Sequence, residues 1–294
     1  MENKVSKFVS AGEKKGAPDN PLVSIITPVL NGVKYLEACI QSVLTQSYPY
    51  IEHIFADGGS TDGTLDMLTS YSAKYLDRVR FISEPDKGVG EAWNKGWRMA
   101  KGEIFGFLGS DDVSEPDAIQ TVVEFFKANE SAYFVFGDCN YINEKGEMIG
   151  KYPTKDFNLK ELINGPSCMV PTPSSFYRRE VVDKVGWFDT LANDYDYLIR
   201  IGKVFPIHRV EKVLSNFRVH QESQTTATGK RQMWLPGARR SQIMWAREDY
   251  IVSLRHGGSI FSVRSRNYYK SVIIERLRPI LGFAYPFIKK VLGK

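Results

Sequence analysis

Two adjacent aspartates, Asp111 and Asp112, follow directly on the apolar run IFGFLG at 104–109. Side by side at a strand end, two carboxylates repel each other unless a cation or a set of donors neutralises them. A divalent cation is the economical neutraliser, because hard carboxylate oxygens suit Mg2+ or Mn2+, which keep part of their water and take further ligands from a diphosphate. The pair would serve equally as an N-cap for a helix over 115–128, since Asp satisfies the free N–H groups of a helix start. A third acid, Asp57, stands in ADGGSTDGT at 56–64. Glycines after a strand let the backbone approach a flat ligand closely. In that stretch Thr61 and Asp62 are placed to cap the next helix, which leaves Asp57 free to accept hydrogen bonds from a base or a ribose; a plain tight turn is the alternative.

These acids need elements that end on one rim, and the hydrophobic pattern predicts them. LVSIITPVL at 22–30 reads as a buried strand, and 33–46 as a helix with Leu36, Ile40, Val43 and Leu44 on one face. Strand 51–59, helix 61–75, strand 79–83, helix 89–101 and strand 104–109 continue the series. Such alternation predicts an α/β fold with a mainly parallel sheet covered by helices. In open sheets of this kind ligands sit outside the carboxyl ends of the strands. Those ends read Thr27-Pro28, Asp57-Gly58-Gly59, Glu84-Pro85-Asp86-Lys87-Gly88 and Ser110-Asp111-Asp112, so three of four deliver carboxylates to one rim. Further on, 133–142, 147–152 and 212–220 read as strands, and 177–185 and 194–204 as helices.

With 294 residues and 43% apolar content the chain can build a real core, which excludes a disordered polymer. No run of 18 apolar residues occurs, which excludes a spanning helix. Residues 1–20 lack the apolar centre of a signal peptide and read as a flexible lead. Cys39, Cys139 and Cys168 are too few and scattered for a disulfide framework, so a reducing cytoplasm is the expected compartment. Charge divides the rest: residues 230–294 hold 14 Lys and Arg against 3 Asp and Glu, a net of +11, on a chain whose total is +5. A core domain over 21–229 and a basic, aromatic-rich helical extension over 230–294 follow from that break. The extension suits an anionic membrane surface, or a helical hairpin packed on the domain or on a second copy in a homo-oligomer. No nucleic-acid partner is expected, because no recognition module accompanies the charge.

Together, TPVLN at 27–31, ADGGSTDGT at 56–64, EPDKGVGEAWNKGWRMAKGEIFGFLGSDD at 84–112 and NDYDYLIR at 193–200 resemble glycosyltransferase family 2 in order and spacing. The resemblance implies a GT-A fold, a nucleotide-sugar donor with UDP as the expected nucleotide, a divalent cation (Mn2+ or Mg2+), and inverting hexosyl transfer to a hydroxyl. The acceptor would be a glycan or a lipid-linked sugar of bacterial-type surface polysaccharide synthesis, with the enzyme peripheral on the cytoplasmic face of the membrane. Carried over, it puts Thr27 and Asp57 at the nucleobase with the backbone of Pro28 and Val29 alongside. Asp86, Lys87, Gly88 and Asn94 face the donor's ribose or sugar, Asp111 meets the ribose or a metal-bound water, and Asp112 meets the metal. His220 opens HQESQTT, which resembles a late His-x-x-Ser segment, as a metal ligand or phosphate donor; a packed histidine is the alternative. PTPSSFYRRE at 171–180 resembles an acceptor segment and nominates Ser174, Ser175 and Arg178, while Trp187 and Phe188 of GWFD at 186–189 are assigned to packing.

Inverting transfer is one in-line displacement, so a base must take the acceptor's proton. The resemblance gives that role to Asp194, with Asp196 as fallback. Where the family commonly shows Glu-Asp this chain has Asn193-Asp194, which keeps the second acid; a helix N-cap is the structural alternative. Two other classes compete. A nucleotidyltransferase making sugar nucleotides would want a glycine-rich basic loop after strand one, whereas TPVLNGVKYL offers one glycine and one lysine. A catalytically inactive scaffold, binding a partner or membrane through the extension, is opposed by Asp57, Asp111, Asp112 and Asp194 all being present.

Overall fold

The computed structural model describes residues 20–76, 78–165, 169–188, 193–220 and 238–281. The sheet begins with β1 (Val23–Val29), β2 (Ile51–Asp57), β3 (Val79–Ser83) and β4 (Ile104–Phe107), separated by α1 (Val33–Leu44), α2 (Thr64–Lys74) and α3 (Val89–Met99). All seven residues of β2 are buried, the signature of a parallel strand covered on both faces. In α1 the buried side chains are Leu36, Cys39, Ile40 and Val43, spaced to form one apolar stripe.

Next come β5 (Val113–Ser114), α4 (Ala118–Ala128), β6 (Phe134–Ile142), β7 (Met148–Lys151), α5 (Leu159–Asn164), a 3-10 turn (Thr172–Ser174), β8 (Ser175–Arg178), α6 (Glu180–Val185), α7 (Asn193–Val204) and β9 (Ile207–Arg218). The strands order as β3-β2-β1-β4-β8-β6-β9-β5, with β7 on β6. β1 to β4 pair in parallel, β8 is antiparallel to both β4 and β6, and β9 is parallel to β6.

Two expected elements are corrected. The helix read over 177–185 begins as strand β8, because Phe176 and Tyr177 are 3% and 2% exposed where the strand completes the sheet between β4 and β6. Tertiary packing overrode a helical local pattern there. The N-cap reading of Asp111-Asp112 also fails, since β5 intervenes and α4 starts only at Ala118, with Asp117 before it.

The chain divides into two compact units, one holding the sheet and its helices, the other joining 158–168 to the residues after His220. Described in the second are α5, α8 (Ala238–Arg255) and α9 (Val263–Leu281). Within it Ser253 Oγ donates to the Ile163 carbonyl at 2.8 Å, and the Arg264 guanidinium reaches Asp249 at 2.6 Å and the Leu162 carbonyl at 3.2 Å.

Inside the sheet, the His53 ring is 1% exposed and its Nε2 lies 2.9 Å from Thr27 Oγ1. Burial, helped by the Arg78 charge, pushes this imidazole down to about 3. The unfolded chain binds a proton near 6.5 while the fold refuses it, so stability is full above that pH and falls as pH drops below it. His53→Gln is expected to remove about 2 kcal/mol of the loss between pH 7 and pH 5. Urea midpoints of the variant and the parent at the two pH values measure it.

Candidate functional site

Strand order reverses between β1 and β4, so the crevice outside their carboxyl ends is where an open α/β sheet receives ligands. The chain leaving β4 makes a tight turn there, with Asp112 N donating to the Gly109 carbonyl at 3.1 Å. A Cβ at Gly109 would lie 2.6 Å from Asp112 Oδ2 and 2.9 Å from Asp111 Oδ1, so both carboxylates fold back over this residue and only glycine leaves them room. Asp112 is 3% exposed and its Oδ1 accepts from Arg218 N at 2.9 Å. Asp111 Oδ2 lies 2.8 Å from His220 Nε2. The last residues of β9 and the turn after β4 thus close one acidic cluster across more than a hundred residues of chain.

Burial, and the Asp111 charge beside it, push the Asp112 carboxyl well above the usual carboxylate range. The N–H and the charge of Arg218 oppose that rise only in part. Among the described residues no three His, Cys, Asp or Glu side chains converge into a metal cage. The adjacent carboxylates of Asp111 and Asp112, with His220 on Asp111, would suit only a cation that draws most of its ligands from a bound diphosphate, the usual habit of Mg2+. His220 Nδ1 is buried with no partner among the described residues, and its ring sits 4.7 Å from that of Tyr35.

Asp57 departs from expectation. Its side chain is fully buried, and Oδ2 accepts from Gly59 N at 3.1 Å, Ser60 N at 3.1 Å and Ser83 Oγ at 2.6 Å, while Ser60 Oγ donates to Oδ1. A carboxylate offers about four lone-pair sites, so Asp57 is not free but organises the loop after β2. Asp62 stands one residue before Gly63, the N-cap of α2, and accepts from Thr64 N at 3.0 Å and Val33 N at 3.1 Å, whereas Thr61 N donates to Asn31 Oδ1 at 2.9 Å. The Thr27 hydroxyl is likewise committed, to His53 inside the sheet. Of the β1 end, Val29 O takes Gly58 N at 2.9 Å, and Pro28 has no N–H to give.

After β3, Asp86 Oδ1 accepts from Gly88 N at 2.9 Å, and Lys87 N donates to Glu91 Oε2 at 2.9 Å while the Lys87 side chain is exposed. Asn94, expected at the donor, has its amide bound within the protein. It grips the Phe188 backbone with both groups, Nδ2 to O at 3.1 Å and N to Oδ1 at 3.0 Å. Lys95, which the sequence reading passed over, is 6% exposed and donates to the carbonyls of Glu84 and Pro85 at 3.1 and 2.9 Å. It holds the loop that carries Asp86.

Asp194 sits in the first turn of α7, where its carboxylate accepts from Thr172 Oγ1 and from Tyr195 N, both at 2.9 Å. Protein packed around the carboxyl raises it by desolvation, against the Thr172 hydrogen bond that lowers it. The residue nonetheless keeps an exposed surface, and water there tempers the shift. Asp196 is no substitute: at 1% exposed it pairs with Arg200 Nε at 2.7 Å, and the same guanidinium holds the carbonyls of Val185 and Trp187.

The residues nominated in the PTPSSFYRRE stretch, Ser174, Ser175 and Arg178, are bonded to backbone carbonyls of the fold. Ser174 is fully buried and donates to the Asp138 carbonyl at 2.9 Å, and Ser175 is 4% exposed and donates to the Pro171 carbonyl at 2.8 Å. Arg178 pairs with Ile104, the first residue of β4, which sets it on the opposite edge from the crevice, where it binds the carbonyls of Ala132 and Phe126. What this stretch does contribute is Thr172. Ser174 ties its turn to Ser215 of β9, so Asp194 and the Asp111–Asp112 pair are held on one frame. Arg218, like Lys95 and Thr172, was missed by the sequence reading. It is 4% exposed, with Nε on the Asp111 carbonyl at 2.8 Å and Nη1 on the Asn143 carbonyl at 3.0 Å. Its only sequence signal is a position two before His220. Residues 221–237, which include the rest of HQESQTT, and Asp189 of GWFD lie outside the described residues.

Comparison with known proteins adds three findings. The profile of Glycosyl transferase family 2 matches residues 24–186. Chondroitin synthase of Escherichia coli is 32% identical over 209 residues, which is 69% of this chain and 30% of that protein, so the chain spans less than a third of that relative. Among solved structures, mannosyltransferase PcManGT from Pyrobaculum calidifontis, in complex with GDP-Man and Mn2+, superposes with a TM-score of 0.60 at 17% identity, covering 96% of this chain and 76% of that one. TarS 1-349 of S. aureus, in complex with UDP-GlcNAc, gives 0.56 at 18% identity over 77% of this chain and 66% of its own. These likenesses establish the GT-A type of α/β fold.

Proposed function

Because the chain belongs to glycosyl transferase family 2, we propose that it moves a sugar from a nucleotide-diphosphate donor, with UDP as the expected nucleotide, to a hydroxyl of a glycan or lipid-linked acceptor with inversion. Synthesis of a bacterial-type surface polysaccharide is the setting this reading suggests, with the basic extension against the anionic cytoplasmic face of a membrane. Among the described residues no helix is long and apolar enough to cross one. The observation that carries the proposal is the Asp111–Asp112–His220 cluster at the strand-order reversal, where a buried carboxylate lies beside a second acid. Bound GDP-Man and Mn2+ in the mannosyltransferase, and UDP-GlcNAc in TarS, support a nucleotide-sugar with a divalent ion.

Asp112 and His220 would hold the cation, with Asp111 beside them on the ribose or a metal-bound water. When bound, that cation offsets the charge of the departing diphosphate. Asp194 takes the proton from the acceptor hydroxyl as it attacks from the face opposite the diphosphate, and Thr172 keeps the carboxylate aimed. Lys95 keeps the loop of Asp86, Lys87 and Gly88 in place along the donor. For Asp57 to read a base, the Ser60 hydroxyl must first swing off Oδ1.

Calorimetric titration with UDP, GDP, CMP and dTDP, each with and without Mn2+, tests the reading. UDP is expected to bind with Mn2+ and far more weakly without it. At a hundred times its Kd it should stabilise the fold by about 2.7 kcal/mol, visible as a raised Tm. If none of the four binds under either condition, the proposal fails.

A further inference from the structure

Helices α8 and α9 are joined by residues 256–262, HGGSIFS, whose polar groups are tied inward. Gly257, at φ +88, ends α8 in the left-handed conformation that suits glycine, and Gly258 N closes on the Ser253 carbonyl at 2.8 Å. Ser259 N donates to Asn164 Oδ1 at 2.9 Å, Ser262 N to the Ser259 carbonyl at 2.9 Å, and Ser265 Oγ to the same carbonyl at 2.8 Å. Phe261 N is taken by Ser259 Oγ at 3.1 Å. The serines Ser262 and Ser265 are buried, whereas Phe261 is 80% exposed and Ile260 51%. Leu254 and Val263 on either side are also exposed. This loop reverses the ordinary order of burial: a hydrogen-bonded frame with serines inside holds two large apolar side chains out in water. Scattered exposed apolar residues are unremarkable, but a preorganised adjacent pair with apolar flanks marks a contact surface.

The charge around the tip says what it contacts. Arg255 and Arg266 are exposed within a helical turn of the loop and Lys270 is exposed farther along α9, while no Asp or Glu occurs from Tyr250 to Ile274. A second copy carrying the same basic residues at this tip would be repelled. An anionic bilayer answers both features, with acyl chains for the apolar pair and headgroups for the cations, and tyrosines such as the stacked Tyr250 and Tyr268 suit its interface. We infer that Ile260 and Phe261 insert into the acyl boundary of an anionic membrane while Arg255, Arg266 and Lys270 meet its headgroups. This rests on the membrane-surface reading above and names the element that anchors it.

The test uses the full chain with vesicles of phosphatidylcholine, alone or mixed with phosphatidylglycerol. Wild type should sediment with the anionic vesicles, and Ile260→Asp/Phe261→Asp should weaken that binding about tenfold or more while its thermal melt is unchanged. Ile260→Leu/Phe261→Leu should bind like wild type. Phe261→Trp should add an emission component that shifts to the blue on anionic vesicles and stays shifted in salt. If wild type and the Asp pair sediment alike and the Trp emission does not move, the insertion is overturned while the charge-based membrane reading stands. If wild type sediments with neither vesicle, the membrane reading falls and takes the tip with it. Self-association by light scattering that the Asp pair abolishes, without vesicle binding, would make the tip a subunit contact and overturn the inference.

Discussion

Asp112→Asn is expected to abolish metal-dependent donor binding and to lower kcat/KM for transfer about a thousandfold, while the fold survives. The amide keeps an acceptor for Arg218 N, so no buried backbone donor is orphaned, an omission that would cost about 1–3 kcal/mol. What it removes is the buried one of two adjacent negative charges. Without a cation that charge is a burden, since burial and Asp111 already hold the Asp112 carboxyl well above its ordinary range. The substitution should therefore leave Tm in metal-free buffer unchanged or raised, and the two effects separate a site defect from a folding defect. Electrostatic groups aimed at developing charge typically account for factors of about 10^2–10^3 each. Asp112→Ala should lose transfer equally but melt earlier, because it strands Arg218 N. Calorimetry with UDP and Mn2+ beside a thermal melt measures both, and an Asn variant that binds UDP with Mn2+ as wild type does would remove Asp112 from the metal.

Asp194→Asn is expected to keep donor binding and lose transfer by about 10^2–10^4, the range of a general base. Asparagine preserves the shape of the side chain, its oxygen can still accept from Tyr195 N and its amide N–H can donate to the Thr172 hydroxyl, but it takes no proton. Desolvation raises the Asp194 carboxyl, so the acid limb of kcat/KM should lie above the ordinary carboxylate range, with activity falling as the base is protonated at lower pH. In the variant that limb should vanish. Asp196→Asn is the control, because Asp196 is buried against Arg200 and its loss should appear as lower stability with the pH profile of the remaining activity unmoved. A wild-type rate in Asp194→Asn would end its assignment as the base.

Much of the framework was legible because it is local. Apolar runs such as VSIITPV and IEHIFAD can only be buried strands when amphipathic helices separate them, and that alternation by itself determines a parallel sheet whose carboxyl ends share a rim. Asp57, Asp86, Asp111 and Asp112 follow those ends in the chain, so the acidity of the rim was determined before any packing was known. Strand β8 was not legible, since SFYR is a strand only by lying between β4 and β6, and neither neighbour adjoins it in the chain.

Which polar groups remain available is a different matter, and only the tertiary structure decided it. Asp57 is consumed by Ser60 and by Ser83 from 26 residues away, Asn94 by the Phe188 backbone 94 residues on, and Ser174 by Asp138 and Ser215. Asp111 and Asp112 meet Arg218 and His220 across more than a hundred residues. The physical reason is that a buried donor or acceptor must find a partner wherever the fold brings one, and those partners came from distant segments. Sequence by itself determined the elements and the acids on their rim; packing decided which of those acids hold the fold together and which stay open for chemistry.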